Sequence, residues 1–212
     1  MVDFSQFQDR PLTDEVSEWL KPGKQSAVTP VIADAAARIS GMNRRERLYK
    51  AVEYFGKNFK YDNWYNDKAF SRTADMLFQN RLLGGCSDYA LVQMTLFRAL
   101  GIPARLVITA NVDWMLAYQA NDLLIFKGHV FVEVFLEDRW FLVDSVYLLL
   151  FNDYNPLLPC YPRREYFFAR CRDYWDIGIT DISKLNNILK QKTLGFNEEL
   201  YTDPQYPQNP II

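Results

Sequence analysis

Two apolar runs, HVFVEVFL from His129 and RWFLVD from Arg139, are separated only by Glu137 and Asp138. β-Branched and aromatic residues on both sides of a short polar break predict an antiparallel hairpin. A two- or four-residue loop sets Phe135 opposite Trp140 and Phe131 opposite Asp144, whereas a three-residue loop slips the register by one. Side chains alternate faces along a strand, so His129, Phe131, Glu133, Trp140, Leu142 and Asp144 then share a face. His129 and Asp144 are diagonal neighbours at one end of it, close enough for a carboxylate to reach an imidazole. His129 is the only histidine in the 212 residues. A histidine on a strand is most often structural, so its meaning depends on what else the chain brings to it.

Upstream lies GGCSDYALVQMTLFRALG. Ala90, Met94, Phe97 and Leu100, like Leu91, Val92, Thr95 and Leu96, keep helical spacing, and Gly101 and Pro103 stop the run. Cys86 therefore falls at a helix start, where unpaired backbone N–H groups and the positive end of the helix dipole favour a thiolate. Gly84 and Gly85 let the chain turn tightly and leave room for a substrate backbone. Asp88, in the first turn, stabilises the helix start but disfavours a second anion nearby. One Cys, one His and one Asp in this order are the minimum for a thiol nucleophile, its base and the group that orients the base.

GGCSDYALVQMTLFRALGIPARLV followed by GHVFVEVFLEDRWFLVDSVY resembles the catalytic core of the transglutaminase-like superfamily, papain-like thiol enzymes with a Cys-His-Asp set. The usual pattern has a Gly-Cys at a helix start and a Leu-Gly-Ile-Pro-Ala-Arg-like helix end. It continues with a His opening a strand that contains a Glu, then a Trp and an Asp on the next strand. Here those positions are Cys86, Leu100 to Arg105, His129 with Glu133, and Trp140 with Asp144. The match spans residues 45 to 150 and departs at Asp144-Ser145, where many relatives have Asp-Pro. The resemblance implies an α+β fold: N-terminal helices, a central helix starting at the nucleophile, and an antiparallel sheet carrying base and acid. It also implies Cys86 as nucleophile, His129 as base and Asp144 as the orienting acid.

The chemistry expected is acyl transfer or hydrolysis at a peptide, isopeptide or glutamine amide through a thioester, on a protein or peptide substrate and with an amine as possible co-substrate. Arylamine N-acetyltransferase-like acetyl transfer from acetyl-CoA is a rival, although Ser145-Val146-Tyr147 replaces the Val-Gly-Phe-like stretch that usually follows the acid there. A non-catalytic peptide- or protein-binding module on the same fold is another. Gln79, Tyr61 and Trp64 are candidate side-chain partners of an oxyanion hole whose backbone donor is the Cys86 N–H. The apolar connection from residue 111 to 127 reads either as a tucked-in loop with at most one helical turn or as a lid over the cleft. On the lid reading Trp114 and Phe126, together with Gly85, contact substrate. Glu133 is expected to pair with Arg98 or Arg105.

No cofactor or metal is implied. Cys86, His129, Cys160 and Cys171 lack the close ligand pairs of structural zinc. Three cysteines in no disulfide spacing favour a reducing compartment. A net charge of −2 and a pI near 5.5 give no footprint for nucleic acid. The basic runs around Arg44 and Arg163 are broken by acids and read as solvated helix faces. The start MVDFSQFQDRPLTDEV has neither a basic n-region nor an apolar h-region, and Val146 to Phe151 is too short to cross a bilayer. A cytoplasmic protein without membrane contact is the expectation. The organisation expected is one domain over 1–212: a helical scaffold over 1–80, a catalytic core over 81–150, and a C-terminal extension and arm over 151–212. The arm, from Asn197 on, has three prolines and is expected to have little structure of its own.

Overall fold

The computed structural model describes residues 2–121 and 127–211. In chain order these form α1 (Asp14–Ser17), α2 (Pro30–Ala37), α3 (Arg44–Asn58), β1 (Lys60–Tyr61), α4 (Ala74–Asn80), β2 (Leu82–Leu83) and α5 (Cys86–Ala99). They continue with β3 (Ala104–Asn111), α6 (Val112–Gln119), β4 (Val130–Leu136), β5 (Arg139–Asp144), β6 (Leu149–Phe151), β7 (Cys160–Tyr161), β8 (Glu165–Cys171), α7 (Ile182–Thr193) and β9 (Gln208–Pro210). The fold is α+β, as expected. Thr13, Asn43 and Thr73 cap α1, α3 and α4 by accepting from the backbone N–H groups of Val16, Glu46 and Met76. Thr29 instead turns its hydroxyl to the Asp75 carboxylate and ties α2 to α4.

The main sheet runs β7-β8-β3-β4-β5-β6-β9 and is antiparallel throughout. Its central hairpin closes as the sequence predicts: Leu136 pairs with Arg139 and Phe135 with Trp140. Glu137 and Asp138 occupy the left-handed region, with φ of 50° and 62°. Both central residues of a two-residue turn must do so for its twist to match that of the strands. The pairing continues to Val132 opposite Val143, which fixes the faces at the far end.

Both faces of the sheet are covered, so β4 reads as an almost continuous apolar run rather than an alternation. On one face Val130, Val132, Val134, Phe141 and Val143 join the main core, where α5 lies on β3 and β4 and is itself wrapped by α2, α3 and α4. On the other face Val107, Phe131, Leu142 and Phe151 pack with Tyr154 and Tyr161 from the extension. Glu133 points into this second layer, fully buried, and pairs with Arg105 as anticipated and also with Arg170 and the Tyr154 hydroxyl. A buried carboxylate needs such partners, since burial of an uncompensated charge is far costlier. Arg98 has another role, donating to the carbonyls of Ala104 and Arg172.

Two expectations are corrected. Residues 112–119 of the connection are not a loop but helix α6, started by Asn111, whose side chain accepts from the Trp114 N–H. The tail also gains structure: β9 pairs with β6, and Ile211 is buried and donates its N–H to the Leu148 carbonyl. Without β9, β6 would present a row of unpaired backbone groups, and the tail satisfies them. Among the described residues no helix is long and apolar enough to cross a membrane.

Candidate active site

The start of α5 meets the sheet at the end where β4 and β8 begin and β3 and β5 finish. Gly84 makes the approach possible, because a Cβ there would lie 2.3 Å from the Tyr65 carbonyl oxygen. Gly85 has extended backbone, φ 174°, and no such crowding. As N-cap it offers no side-chain acceptor, while Asp88 and Tyr89 donate their N–H groups to its carbonyl. The first N–H groups of the helix, beginning with that of Cys86, have no intrahelical acceptor. Asp88 does not stand as a free anion beside the thiol. It is buried against the Arg72 guanidinium and accepts from the Gly84 N–H at 2.7 Å, which braces the turn. Burial pushes its carboxyl pKa up against the pull of those two donors.

Asp144 is fully buried at the end of β5, and His129 stands just before β4. His129 Nε2 lies 3.1 Å from Asp144 Oδ1, which also accepts from the N–H groups of Val146 (3.1 Å) and Tyr147 (3.2 Å). The ring packs edge-on against Phe131, with centroids 4.6 Å apart. Cys86 and His129 line one small cavity, and with Nε2 on Asp144, Nδ1 is the nitrogen left to face the thiol. Burial alone would push the imidazole pKa down, but the bonds to Asp144 and Cys86 outweigh it and raise it to about 10. Burial likewise works against the Asp144 carboxylate, yet His129 and Arg163 hold its pKa below the ordinary value. The three side chains thus come together, with His129 hydrogen-bonded to Asp144 and standing beside Cys86.

A cleft of about 480 Å³ opens over Cys86, lined by Asn66, Gly84, Gly85, Asn111 and Glu165 among others. Of the residues proposed from sequence, Gly85 lines it. Gln79 does not: it is exposed on α4 and donates to Asp75. Trp64 is 75% exposed, and Tyr61 is exposed with its hydroxyl engaged by Asn63 and Asn66. From that stretch it is Asn66 that reaches the cleft. Trp114, expected as a wall, is 2% exposed, stacked on Tyr118 and part of the core. Phe126 lies outside the described residues.

The sequence reading missed Glu165 and Arg163, because Pro162-Arg163-Arg164-Glu165 resembles a solvated face. It is instead the turn between β7 and β8, with Arg163 on Asp144 and Glu165 in the cleft wall. The other basic run also leaves the surface: Arg45 is buried, pairs with both oxygens of Glu137 and lies 4.7 Å from the Phe141 ring centroid. Among the described residues no group of three His, Cys, Asp or Glu side chains could hold a metal ion.

The sequence matches the family model of the transglutaminase-like superfamily over residues 33–145, more than half of the chain. The chain belongs to the transglutaminase-like superfamily. The superfamily match takes in Cys86, His129 and Asp144 and stops before the extension. No curated protein matches the chain. Among solved structures it is similar to a candidate cysteine protease from Cytophaga hutchinsonii, with a TM-score of 0.53 and 18% identity over 79% of this chain and 50% of that one. That likeness speaks for the superfamily fold. A TGase structure is similar at a TM-score of 0.37 and 16% identity, over 63% of this chain and 33% of that one, and carries no argument. The chain spans half the length of the Cytophaga protein.

Proposed function

We propose that this protein is a cysteine-dependent enzyme acting on an amide through a thioester on Cys86. The observation that carries the reading is the convergence of Cys86, at the start of a helix, with the sole imidazole that is hydrogen-bonded to the buried Asp144. In it the Cys86 thiolate attacks the amide carbonyl and forms the C–S bond. The C–N bond then breaks as the His129 imidazolium gives its proton to the departing amine. Water or a second amine next attacks the thioester and passes a proton to His129, and the thiolate leaves. Asp144 orients the ring and stabilises its protonated form. The uncapped N–H of Cys86 is the backbone donor for the oxyanion. Water yields a protease or deamidase and an amine yields a transglutaminase, and the same three groups serve both.

The test is the mass of the intact protein after mixing with a peptide amide or a glutamine peptide, with and without a primary amine. A thioester adduct on Cys86, absent in Cys86→Ala and discharged faster when the amine is present, is the expected result. A wild-type protein that forms no adduct with either donor, and whose Cys86 alkylates no faster than Cys160 and Cys171, would sink the reading.

A further inference from the structure

The two oxygens of Asp144 are served from different parts of the chain. Oδ1 takes His129 and the backbone N–H groups that follow the strand, whereas Oδ2 is met by the guanidinium of Arg163. The charged groups facing Asp144 are therefore His129, from the start of β4, and Arg163, from the β7–β8 turn. Asp144 has no exposed surface, so without Arg163 its second oxygen would be a buried acceptor with no donor. The guanidinium also lies 3.8 Å above the Tyr147 ring, and that ring stands 6.4 Å from His129.

The turn that presents Arg163 is built at a cost and anchored separately. Arg163 and Arg164 have φ of 66° and 58°, a region unfavourable to residues with a side chain. The Arg164 carbonyl accepts from the Val112 N–H at 2.8 Å, and its side chain pairs with Asp113 and Glu198. The position of the turn thus does not depend on the Arg163 side chain. Arg163 also lies beyond the residues that match the superfamily.

We propose that Arg163 is a positioning residue contributed by the C-terminal extension: it closes the second oxygen of Asp144 and keeps that carboxylate ionised and turned toward His129. The inference rests on Cys86, His129 and Asp144 being the catalytic set. A neutral Arg163→Gln keeps a donor but loses the charge, and Arg163→Lys restores the charge without the planar fork.

The sole histidine makes the readout clean, since nitrogen NMR of one imidazole reports the protonation of Asp144 without any substrate. In Arg163→Gln the acid inflection of the His129 signals should move up by about one pH unit or more. Cys86 alkylation by iodoacetamide should fall off at the same higher pH, and Arg163→Lys should return both toward wild type. An acid inflection in Arg163→Gln at the wild-type pH, or one that Lys does not restore, overturns the proposal. A purely structural role would lower the denaturation midpoint and leave the inflection in place, and that result also overturns it. Alkylation of wild-type Cys86 no faster than that of the other two thiols would remove the catalytic reading, while the inflection would still decide whether Arg163 governs Asp144.

Discussion

Gly84 sits against the carbonyl of Tyr65 so closely that a Cβ at this position would lie 2.3 Å from the oxygen and 2.4 Å from the carbonyl carbon. Both are backbone atoms and cannot swing aside. Gly84→Ala should therefore displace the turn before α5, break the Gly84 N–H bond to Asp88 and lower Cys86 alkylation at least tenfold (~1.4 kcal/mol or more in the barrier). Gly85→Ala meets only the Asn66 side chain at 3.5 Å and should retain the reactivity. Equal effects of the two would mean that the turn is not set by this contact.

Removing the imidazole should slow iodoacetamide labelling of Cys86 at pH 7 by roughly tenfold or more, because the base of the proposed mechanism is lost. The same ring links stability to pH. Its pKa is raised from 6.5 to about 10, so its contribution is full below pH 6.5 and is lost as the pH rises through 10. The gap in denaturation midpoint between wild type and His129→Ala should narrow across that window. A gap that stays constant would show a neutral imidazole.

Asp144→Asn keeps the shape of the side chain and removes the charge that selects the ring's tautomer. Turnover should fall by roughly 10³-fold with KM little changed, by analogy with the loss of an orienting carboxylate in other triads. Activity within a few-fold of wild type would mean that another group holds His129.

Glu165 supplies a pH effect of the same sign at lower pH. Thr109 Oγ1 is 2.7 Å from Glu165 Oε2 and 3.0 Å from the His129 carbonyl oxygen, and one hydroxyl proton can serve only one of them. A protonated Glu165 resolves the conflict by donating to Thr109. Burial pushes the Glu165 pKa from 4.5 up to about 7, against the hydrogen bond from Thr109. A raised carboxyl pKa means that its contribution to stability is present below pH 4.5 and lost as pH rises through 7. Glu165→Gln should therefore gain stability relative to wild type across that range, by up to about 3 kcal/mol. Urea titrations at pH 4.5 and 8 that show the same difference would refute this.

Trp114→Ala tests what α6 is for. With its indole in the core, the substitution should cost ~3–5 kcal/mol in urea titration while the labelling rate of Cys86 in the folded protein stays as it is. A stable variant with altered reactivity toward bulky electrophiles would return Trp114 to the cleft.

The central hairpin was readable from sequence because its register follows from two polar residues between apolar runs. The start of α5 was readable because helical spacing begins at once after Gly84-Gly85. The register alone places His129 and Asp144 at one end of the sheet, and that Cys86 joins them there was implied by the family resemblance. Arg163 left no such trace: its partner Asp144 is 19 residues away in sequence, and the short basic run around it has the composition of a surface. Trp114 was misjudged for a related reason. Its helix carries apolar residues on more than one side, so periodicity could not tell a packed helix from a wall of the cleft. Gly84 looked like one of two equivalent hinge glycines until the Tyr65 carbonyl distinguished it.

The β7–β8 turn gives the order of assembly a chemical meaning. Arg163 reaches Asp144 only when the extension has folded across the second face of the sheet, and β9 closes the opposite edge with still later residues. Pairings between distant parts of a chain form slowly and late in folding. A nascent or partly unfolded chain therefore lacks the donor to the second oxygen of Asp144. On the proposed function the fold works as an interlock, in which the set of Cys86, His129 and a fully satisfied Asp144 is complete only once the extension is in place.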